Sequence, residues 1–371
     1  MISKKFHIFF FIFLNIILFS ILIYGGSRND YALYEVTWNA IINNDEEVRF
    51  NTYGPLHLFI SFIYKINSLL PKIIFGTLFC FLQFYIFFKI LKNSYNLLFY
   101  FYLILPCNFL IITSVYFYGI NDSIVAFFLI ISITLFLNKN YFVSGVFFSI
   151  SAFIKLYPLL FFPLLALYKK IKFNFLISFV VSTCLILLLS FYKFNSDLIF
   201  EPLKFGSLRA PNFTSILASL NYDFPNNMII LFLIKYNSIL VLSFSLITLF
   251  YCLKKKKCLL TSLIIIFLVV LTTYKVGHIQ FYIPLCVIFS ILLNYNNLYL
   301  KHVKTALPLI FLLSATSITY PLTGGFDIMR QENIFWSIRE HLGYLYFFVN
   351  IFTIYKISKI NTDKKQYEIE F

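Results

Sequence analysis

The chain has 371 residues, of which 60% are hydrophobic and only 12% are charged, and its mean hydropathy is +0.85. A soluble globular protein of this length carries more charge, so the composition predicts an all-α polytopic membrane protein. The net charge of +15 is interpreted as the lysine excess that orients a membrane protein. Nucleic-acid binding is disfavoured, because the basic residues are spread over short loops and form no single patch.

Apolar runs along the chain predict about 11–12 transmembrane helices in one domain that covers residues 1–371. Several runs are shorter than the roughly 20 residues that a full span needs. The first run shows no small-residue cleavage site and is expected to stay as an uncleaved helix. The runs lie near 6–24, 73–91, 96–112, 123–137, 141–154, 156–168, 173–192, 228–252, 258–272, 279–294, 305–320 and 341–357.

Two segments need a specific interpretation. The pair 141–154 and 156–168 is either two short helices or a re-entrant hairpin. The stretch 56–70 is apolar but contains His57, Lys65 and Asn67. It is expected as an interfacial helix on the outer surface, since counting it as a span would invert every later loop.

Charge supports one orientation of the chain in the membrane. With the N-terminus inside, the inner loops hold 18 of the 30 basic residues and three acids, while 12 of the 15 acids and all five arginines lie outside. Both termini are therefore expected to be cytoplasmic, in an inner or plasma membrane or, in a eukaryote, the endoplasmic reticulum. The long segments 25–72, 193–227 and 321–340 are expected on the outer face, and long irregular loops commonly carry function.

Asp30 is the first candidate for chemistry, since it follows the first apolar run and lies near Arg28. A carboxylate at a membrane interface, close to a cation, can act as a general base toward an acceptor hydroxyl. The alternative is a helix-capping aspartate. The neighbouring acidic run Asp45–Glu47 is expected to be a solvated end of an amphipathic helix that places Tyr34, Trp38 and Ile41 on one face.

Two further groups of residues fall on the expected outer side. Asn121 and Asp122 open a span, and Asp122 either caps that helix or faces a cleft. Lys155 interrupts an apolar stretch and is followed by Pro158. An ionisable group there is by default a candidate for function, and it can neutralise a phosphate unless it merely snorkels to the surface.

Phosphate contacts are also expected from two later segments. His278 closes the loop before the tenth span together with Lys275, and Arg209 and Lys204 lie in the 193–227 loop. Arginine binds phosphate through two parallel hydrogen bonds, which favours Arg209 for this role. His278 is otherwise an ordinary interfacial histidine.

Other classes of site are disfavoured by the sequence. It contains no P-loop, dinucleotide-binding fingerprint, serine nucleophile elbow or zinc motif, so no cofactor and no metal are expected. Six cysteines lie in or near apolar runs without disulfide or metal-ligand spacing. Cys252 and Cys258 flank a lysine cluster without a histidine or acid nearby in sequence.

The ordered motifs resemble polyprenol-phosphate-mannose-dependent glycosyltransferases of the GT-C superfamily, most of all glycosyltransferase family 87 and the GPI mannosyltransferase I group. The resemblance covers roughly residues 1–170, with a weaker echo at Gly277-His278-x-Gln280-Phe281-Tyr282. Its motifs are Asp30 and Tyr34, then Tyr53, Pro55 and Leu56, then the Gly119–Asp122 cluster, then Ala152, Lys155, Tyr157 and Pro158.

The resemblance implies a GT-C fold with outer-facing interfacial helices, a lipid-phosphate sugar donor and inversion at the anomeric carbon. The family's essential acid in the first outer loop corresponds to Asp30. This chain has a single aspartate there rather than an Asp-x-Asp pair, so a metal-free mechanism is preferred. It also has Tyr53-Gly54-Pro55-Leu56 where Tyr-Pro-Pro-Leu is more usual.

The sequence thus predicts transfer of a hexose, mannose first, from a polyprenyl-phosphate donor to a glycan or glycolipid acceptor on the outer face. Asp30 is the predicted base, Lys155, Arg209 and His278 the predicted phosphate ligands. The predicted substrate-binding residues are Tyr34, Tyr53, Asn121, Asp122 and Tyr157. Two rivals remain: an O-antigen-type polymerase that depends on Arg209 and Arg330, and a non-catalytic transporter or flippase of lipid-linked sugars.

Overall fold

A computed structural model describes residues 3–26, 30–43, 53–93, 95–194, 196–293, 297–322 and 333–360. The predictions for Arg28, the acidic run Asp45–Glu47 and Arg330 lie outside these residues. Residues 323–332 of the predicted outer loop 321–340 lie outside them as well. The described part is almost entirely helical, with one short pair of strands.

The first half of the chain forms ten helices in the described residues, together with short 3₁₀ turns and a π-helical stretch at Ile112–Phe117. They are α1 (Lys4–Tyr24), α2 (Asp30–Asn43), α3 (Pro55–Ile66), α4 (Leu70–Asn93), α5 (Leu98–Ile104), α6 (Phe109–Ile111), α7 (Asp122–Leu137), α8 (Tyr141–Ile154), α9 (Phe162–Leu167) and α10 (Phe173–Lys193).

The second half adds eight helices and a two-residue parallel pairing between β1 (Asn212–Phe213) and β2 (Val276–Gly277). The helices are α11 (Ser196–Leu208), α12 (Ile216–Asp223), α13 (Met228–Lys235), α14 (Asn237–Lys254), α15 (Leu259–Thr273), α16 (Ile283–Leu292), α17 (Asn297–Leu322) and α18 (Asn333–Lys359).

The protein is an all-α membrane protein in which long and short apolar helices alternate. Four described helices, α1, α4, α10 and α14, are long and apolar enough to cross a bilayer, and a bent pair that includes α5 and α6 raises the number to five. The shorter apolar helices have 10 to 17 residues. At about 1.5 Å per residue they fall short of the roughly 30 Å hydrocarbon core, so the 11–12 expected spans are not matched by helix length.

Two predicted spans are broken. The run 96–112 bends by 52° between Ile104 and Phe109, where Pro106 lacks the backbone N–H that a continuous helix needs. The run 228–252 divides at Tyr236 into α13 and α14. There the Asn237 side chain donates to Thr273 O over 2.8 Å and accepts from Lys275 N over 2.9 Å, which ties the start of α14 to the end of α15.

Helices α7, α8 and α10 pack closely around small residues. Ser132 and Ser144 each donate to the other's backbone carbonyl, over 2.9 and 2.8 Å. A Cβ at Gly145 would lie 2.1 Å from Ser178 Oγ, so a glycine there lets the backbones approach. This rigid group fixes the start of α7 and the end of α8, which carry Asp122 and Lys155.

Candidate active site

Asp30 begins α2 and is partly exposed. An amide that is far away in sequence but adjacent in space orients its carboxylate. Gln280 Nε2 donates a hydrogen bond to Asp30 Oδ2 over 2.7 Å. On the amphipathic face predicted for this segment, Tyr34 and Trp38 are fully buried and Ile41 is partly buried. Trp38 Nε1 donates to His57 O over 3.1 Å, which holds α2 against α3.

Tyr53 and Gly54 lie where α3 meets the end of α8. Gly54 N donates to Ile154 O over 2.9 Å, and a Cβ at Gly54 would lie 2.2 Å from Phe153 O. Only glycine allows this approach of two backbones. The contact brings the Tyr53 ring to 5.5 Å from Lys155 Nζ.

Lys155 lies in the break after α8 and forms a buried ion pair with Asp122. Lys155 Nζ is 2.6 Å from Asp122 Oδ2, and the two side chains are 11% and 0% exposed. Lys155 therefore does not snorkel to the surface. Its charge is compensated inside the protein, as a buried cation requires.

Tyr34 and Asn121 are buried beneath the candidate site. Tyr34 donates to Asn121 Oδ1 over 3.1 Å, and its oxygen accepts from Asn121 N over 3.3 Å. Both residues are 0% exposed. Burial raises the pKa of the Tyr34 phenol, with smaller contributions from the charges of nearby residues that include Asp30 and Asp122. In this structure the two residues support α2 and α7 rather than line the surface.

Tyr157 follows Lys155 and is partly buried. Its hydroxyl interacts electrostatically with the Asp122 carboxylate, but neither this hydroxyl nor Asp122 Oδ1 has a partner in hydrogen-bonding range. The Tyr157 ring lies 5.8 Å from the Phe281 ring and 6.0 Å from the Phe267 ring. Tyr157 thus lies between the ion pair and the second half of the chain.

Arg209 and His278 are brought together by the pairing of β1 with β2. Asn212 aligns with Val276 and Phe213 with Gly277, and Arg209 Nη2 lies 2.6 Å from His278 Nε2. Since a guanidinium can only donate, His278 Nε2 is the acceptor of this hydrogen bond. The pairing therefore places the Arg209 guanidinium beside the His278 ring.

One short turn at residues 278–281 joins these groups. It contains most of the sequence echo noted above, and its side chains contact the predicted base Asp30, the buried Lys155 and Arg209. Sequence analysis gave Gln280 and Phe281 no role. The contacts are His278 with Arg209 at 2.6 Å, Gln280 with Asp30 at 2.7 Å, and the Phe281 ring with Lys155 Nζ at 4.7 Å.

Lys72 is a second residue that sequence analysis missed. It is 0% exposed, and its ammonium donates to Gly26 O over 2.8 Å and to Phe117 O over 2.7 Å. Gly119 has φ +65°, and a Cβ there would lie 2.4 Å from Lys72 Cγ. Lys72 thereby connects the segment before Asp30 to the segment before Asp122. It begins a long apolar helix, so its sequence context resembles that of an ordinary flanking lysine.

His57 is buried beside the site and carries no charge. Burial, with a smaller effect of the Lys155 charge, lowers the pKa of His57 to about 3. Its ring lies 4.5 Å from the Tyr53 ring, 4.9 Å from the Tyr34 ring and 5.2 Å from the Trp38 ring. His57 is therefore a neutral member of an aromatic cluster that supports Tyr53.

Within the described residues, no group of three or more His, Cys, Asp or Glu side chains is placed to hold a metal ion. Neither a protein-family model nor a curated protein matches this chain. Its function is therefore inferred from side-chain geometry and from the sequence motifs.

Proposed function

We propose that this protein is a GT-C-type integral-membrane glycosyltransferase. It moves a hexose, with mannose as the first candidate, from a polyprenyl-phosphate donor to a glycan or glycolipid acceptor on the outer face. The observation that carries the proposal is the convergence on the 278–281 turn of a partly exposed carboxylate, Asp30, and a guanidinium, Arg209. Sugar transfer needs a base for the acceptor hydroxyl and a cation for the departing phosphate, and Asp30 and Arg209 can provide these on either side of one turn.

In the proposed reaction Asp30 takes the proton of the acceptor hydroxyl as that oxygen attacks the anomeric carbon. The new glycosidic C–O bond forms while the bond between the anomeric carbon and the phosphate oxygen breaks, which inverts the configuration. The electron pair leaves with the polyprenyl phosphate, and the proton stays on Asp30 until water removes it. The Gln280 amide keeps the Asp30 carboxylate turned toward the substrate, because it fixes one oxygen by a hydrogen bond.

The departing phosphate is assigned mainly to Arg209. Its planar fork suits a phosphate, because a guanidinium can form two parallel hydrogen bonds with phosphate oxygens. Lys155 contributes less than the sequence suggested, because Asp122 already compensates its charge. In this proposal the Asp122–Lys155 pair holds the end of α8 and the Tyr53 and Phe281 rings in place.

Sugar transfer in membranes that contain the chain tests the proposal. Labelled polyprenyl-phosphate mannose and labelled GDP-mannose are supplied in parallel, with their interconversion blocked. Product is expected from the lipid donor alone and is expected to disappear in Asp30→Asn. The matched control is Asp197→Asn, which changes an exposed aspartate of α11 and should leave transfer intact.

Other outcomes point to the rival functions. Retained transfer in Asp30→Asn excludes the proposed base. Loss of polymer in Arg209→Ala and Arg330→Ala, with Asp30→Asn still active, indicates a polymerase. Movement of a lipid-linked sugar across the membrane without any transfer product indicates a transporter.

A further inference from the structure

The residues with a positive φ are glycines near the candidate active site and lysines in turns at the opposite end of the helices. Among the described residues five have positive φ: Gly26 and Gly119, at 60° and 65°, and Lys139, Lys169 and Lys256, at 62°, 60° and 50°. The two glycines lie in the segments that lead to Asp30 and Asp122. The three lysines lie in turns between helices, well away from those segments in sequence.

The three lysine turns lie at the end of the helices opposite to the candidate active site. The turn at Lys139 joins α7 and α8, whose other ends carry Asp122 and Lys155. The turn at Lys256 precedes α15, whose other end leads to Lys275 and His278. Each of these helices separates its lysine turn from the site by about 1.5 Å per residue, or roughly 20 Å.

Lys169 follows the same arrangement. It precedes α10, and the far end of α10 reaches α3, where the Phe194 ring lies 4.9 Å from the Phe59 ring. Since α3 also carries His57 in the site, the turn at Lys169 lies at the opposite end of α10. The three turns therefore share one face of the protein.

Two of the turns are Schellman caps with lysine at the left-handed position. After α7, Asn140 N donates to Leu135 O over 2.9 Å and Lys139 N to Phe136 O over 3.1 Å. This pattern normally places glycine, or sometimes asparagine, where Lys139 stands. Asn138 and Asn140 flank the position, yet lysine occupies it.

The cap after α14 repeats the pattern. Lys257 N donates to Cys252 O over 3.0 Å and Lys256 N donates to Leu253 O over 3.1 Å. Lys169 also has a positive φ, of 60°, at the centre of a tight turn in which Lys170 N donates to Tyr168 O over 2.7 Å, the hydrogen bond of a γ-turn. A left-handed lysine is strained, so glycine would relieve strain at all three positions.

Lysine differs from glycine at these three positions by its positive charge, and a positive charge at a membrane face is attracted to anionic lipids. Lys139, Lys169 and Lys256 are all exposed. The turns 138–140, 168–172 and 255–257 contain no acid. Lysine and tyrosine meet there as well: Lys172 Nζ lies 4.7 Å from the Tyr141 ring and Lys169 Nζ 6.0 Å from the Tyr168 ring. Such pairs are typical of the headgroup level of a bilayer.

We propose that this face, defined by the turns 138–140, 168–172 and 255–257, binds anionic phospholipid headgroups. The left-handed lysines place ammonium groups at the tips of the turns, where a headgroup phosphate is within reach and where each cation adds to the attraction of an anionic surface. The binding fixes three helix pairs at one level in the membrane. It is independent of sugar transfer at the opposite end.

Thermal unfolding of the purified full-length chain in a neutral detergent tests this surface. The triple variant Lys139→Gly, Lys169→Gly, Lys256→Gly removes both the charge and the backbone strain. Without lipid its Tm is expected to be a few degrees above that of the wild type. On addition of phosphatidylglycerol the wild-type Tm rises, and the rise in the variant is expected to be no more than half as large.

Matched variants separate charge from backbone effects. The triple change to asparagine tolerates the left-handed backbone without charge, so its rise in Tm should also be no more than half of the wild-type rise. It serves if the glycine variant fails to fold. The triple change to arginine keeps charge and should respond like the wild type. Phosphatidylcholine and inorganic phosphate should raise the Tm of neither protein.

Three results overturn the proposal. One is an equal rise with phosphatidylglycerol in the wild type and in the uncharged variants. The second is a rise of the same size with inorganic phosphate, which indicates a site for the free ion. The third is a wild-type Tm that does not respond to phosphatidylglycerol. Sugar-transfer activity plays no part in the readout, so this surface and the proposed function succeed or fail separately.

Discussion

Gln280 Nε2 donates to Asp30 Oδ2 over 2.7 Å although the two residues are 250 positions apart in the chain. The bond joins the start of α2 to the 278–281 turn, and that turn also contacts Lys155 and Arg209. The second half of the protein therefore completes a site whose sequence motifs lie mainly in the first half.

Replacing Gln280 by leucine is expected to slow sugar transfer about 10- to 100-fold, mainly in kcat. The side chain keeps its size but loses the donor that orients Asp30, and a hydrogen bond to a charged group contributes about 1.5–3 kcal/mol. Steady-state kinetics in membranes measure the change. Asp197→Asn, at an exposed position away from the site, should leave kcat unchanged. An unchanged kcat in Gln280→Leu would contradict the assigned role.

The Asp122–Lys155 pair is expected to show strong coupling in a double-mutant cycle. Asp122→Asn or Lys155→Met leaves one buried charge without its partner, and either change should lower the free energy of unfolding by about 3–5 kcal/mol. The double variant should be more stable than the sum of the two losses predicts. Unfolding in detergent measures all four proteins, and additive single effects would show that the pair is not energetically coupled.

Gly54→Ala is expected to destabilise the protein and displace Tyr53. A Cβ at this position would lie 2.2 Å from Phe153 O, a backbone atom that cannot move alone, and overpacking of this kind costs about 1–3 kcal/mol. Gly76→Ala is the control, since its Cβ would meet only the end of the Leu22 side chain, at 2.7 Å. Tm values for the two variants check the prediction, and an equal effect would contradict it.

Acid is expected to destabilise the protein through His57. Its folded-state pKa is about 3 and its unfolded-state pKa about 6.5, so between these values the unfolded chain binds one more proton. Stability therefore falls as the pH drops below about 6.5, by about 1.4 kcal/mol per pH unit. Between pH 7 and pH 5 the wild type should lose about 2 kcal/mol more than His57→Phe.

Unfolding curves at several pH values measure this difference. Between pH 7 and pH 8 the wild type and His57→Phe should change in parallel, because His57 is neutral in both states there. Parallel behaviour below pH 6 as well would show that His57 is not held neutral in the folded protein.

Hydropathy alone predicts the positions of most helices. Burial in a bilayer requires a long apolar run, and this requirement does not depend on which other helices pack against it. The run 73–91 corresponds to α4 and the run 173–192 to α10. Helix breaks were less accessible to prediction. The bend after Ile104 coincides with Pro106, which the sequence shows. The division at Tyr236 is accompanied by hydrogen bonds between Asn237 and the distant residues Thr273 and Lys275, which no local sequence pattern reveals.

The residues of the candidate site also differ in how readily the sequence reveals them. Asp30, Lys155 and Arg209 stood out in the sequence because charge is scarce in an apolar chain, and an unusual residue needs no structure to be noticed. Their partners did not stand out. In the sequence Lys72 resembles an ordinary lysine that flanks a helix, and Gln280 resembles an ordinary polar residue. The structural role of each depends on which groups lie within hydrogen-bonding distance.

The sequence by itself therefore determined the class of protein, the positions of most helices and the identity of the charged residues that membrane burial makes costly. The tertiary structure decided that Lys155 is neutralised by Asp122, that Gln280 orients Asp30, and that three lysines adopt a left-handed backbone on the opposite face. The physical reason is that burial in a membrane depends on the composition of a segment. Pairing between charges and hydrogen-bonding groups depends on distances that packing alone sets.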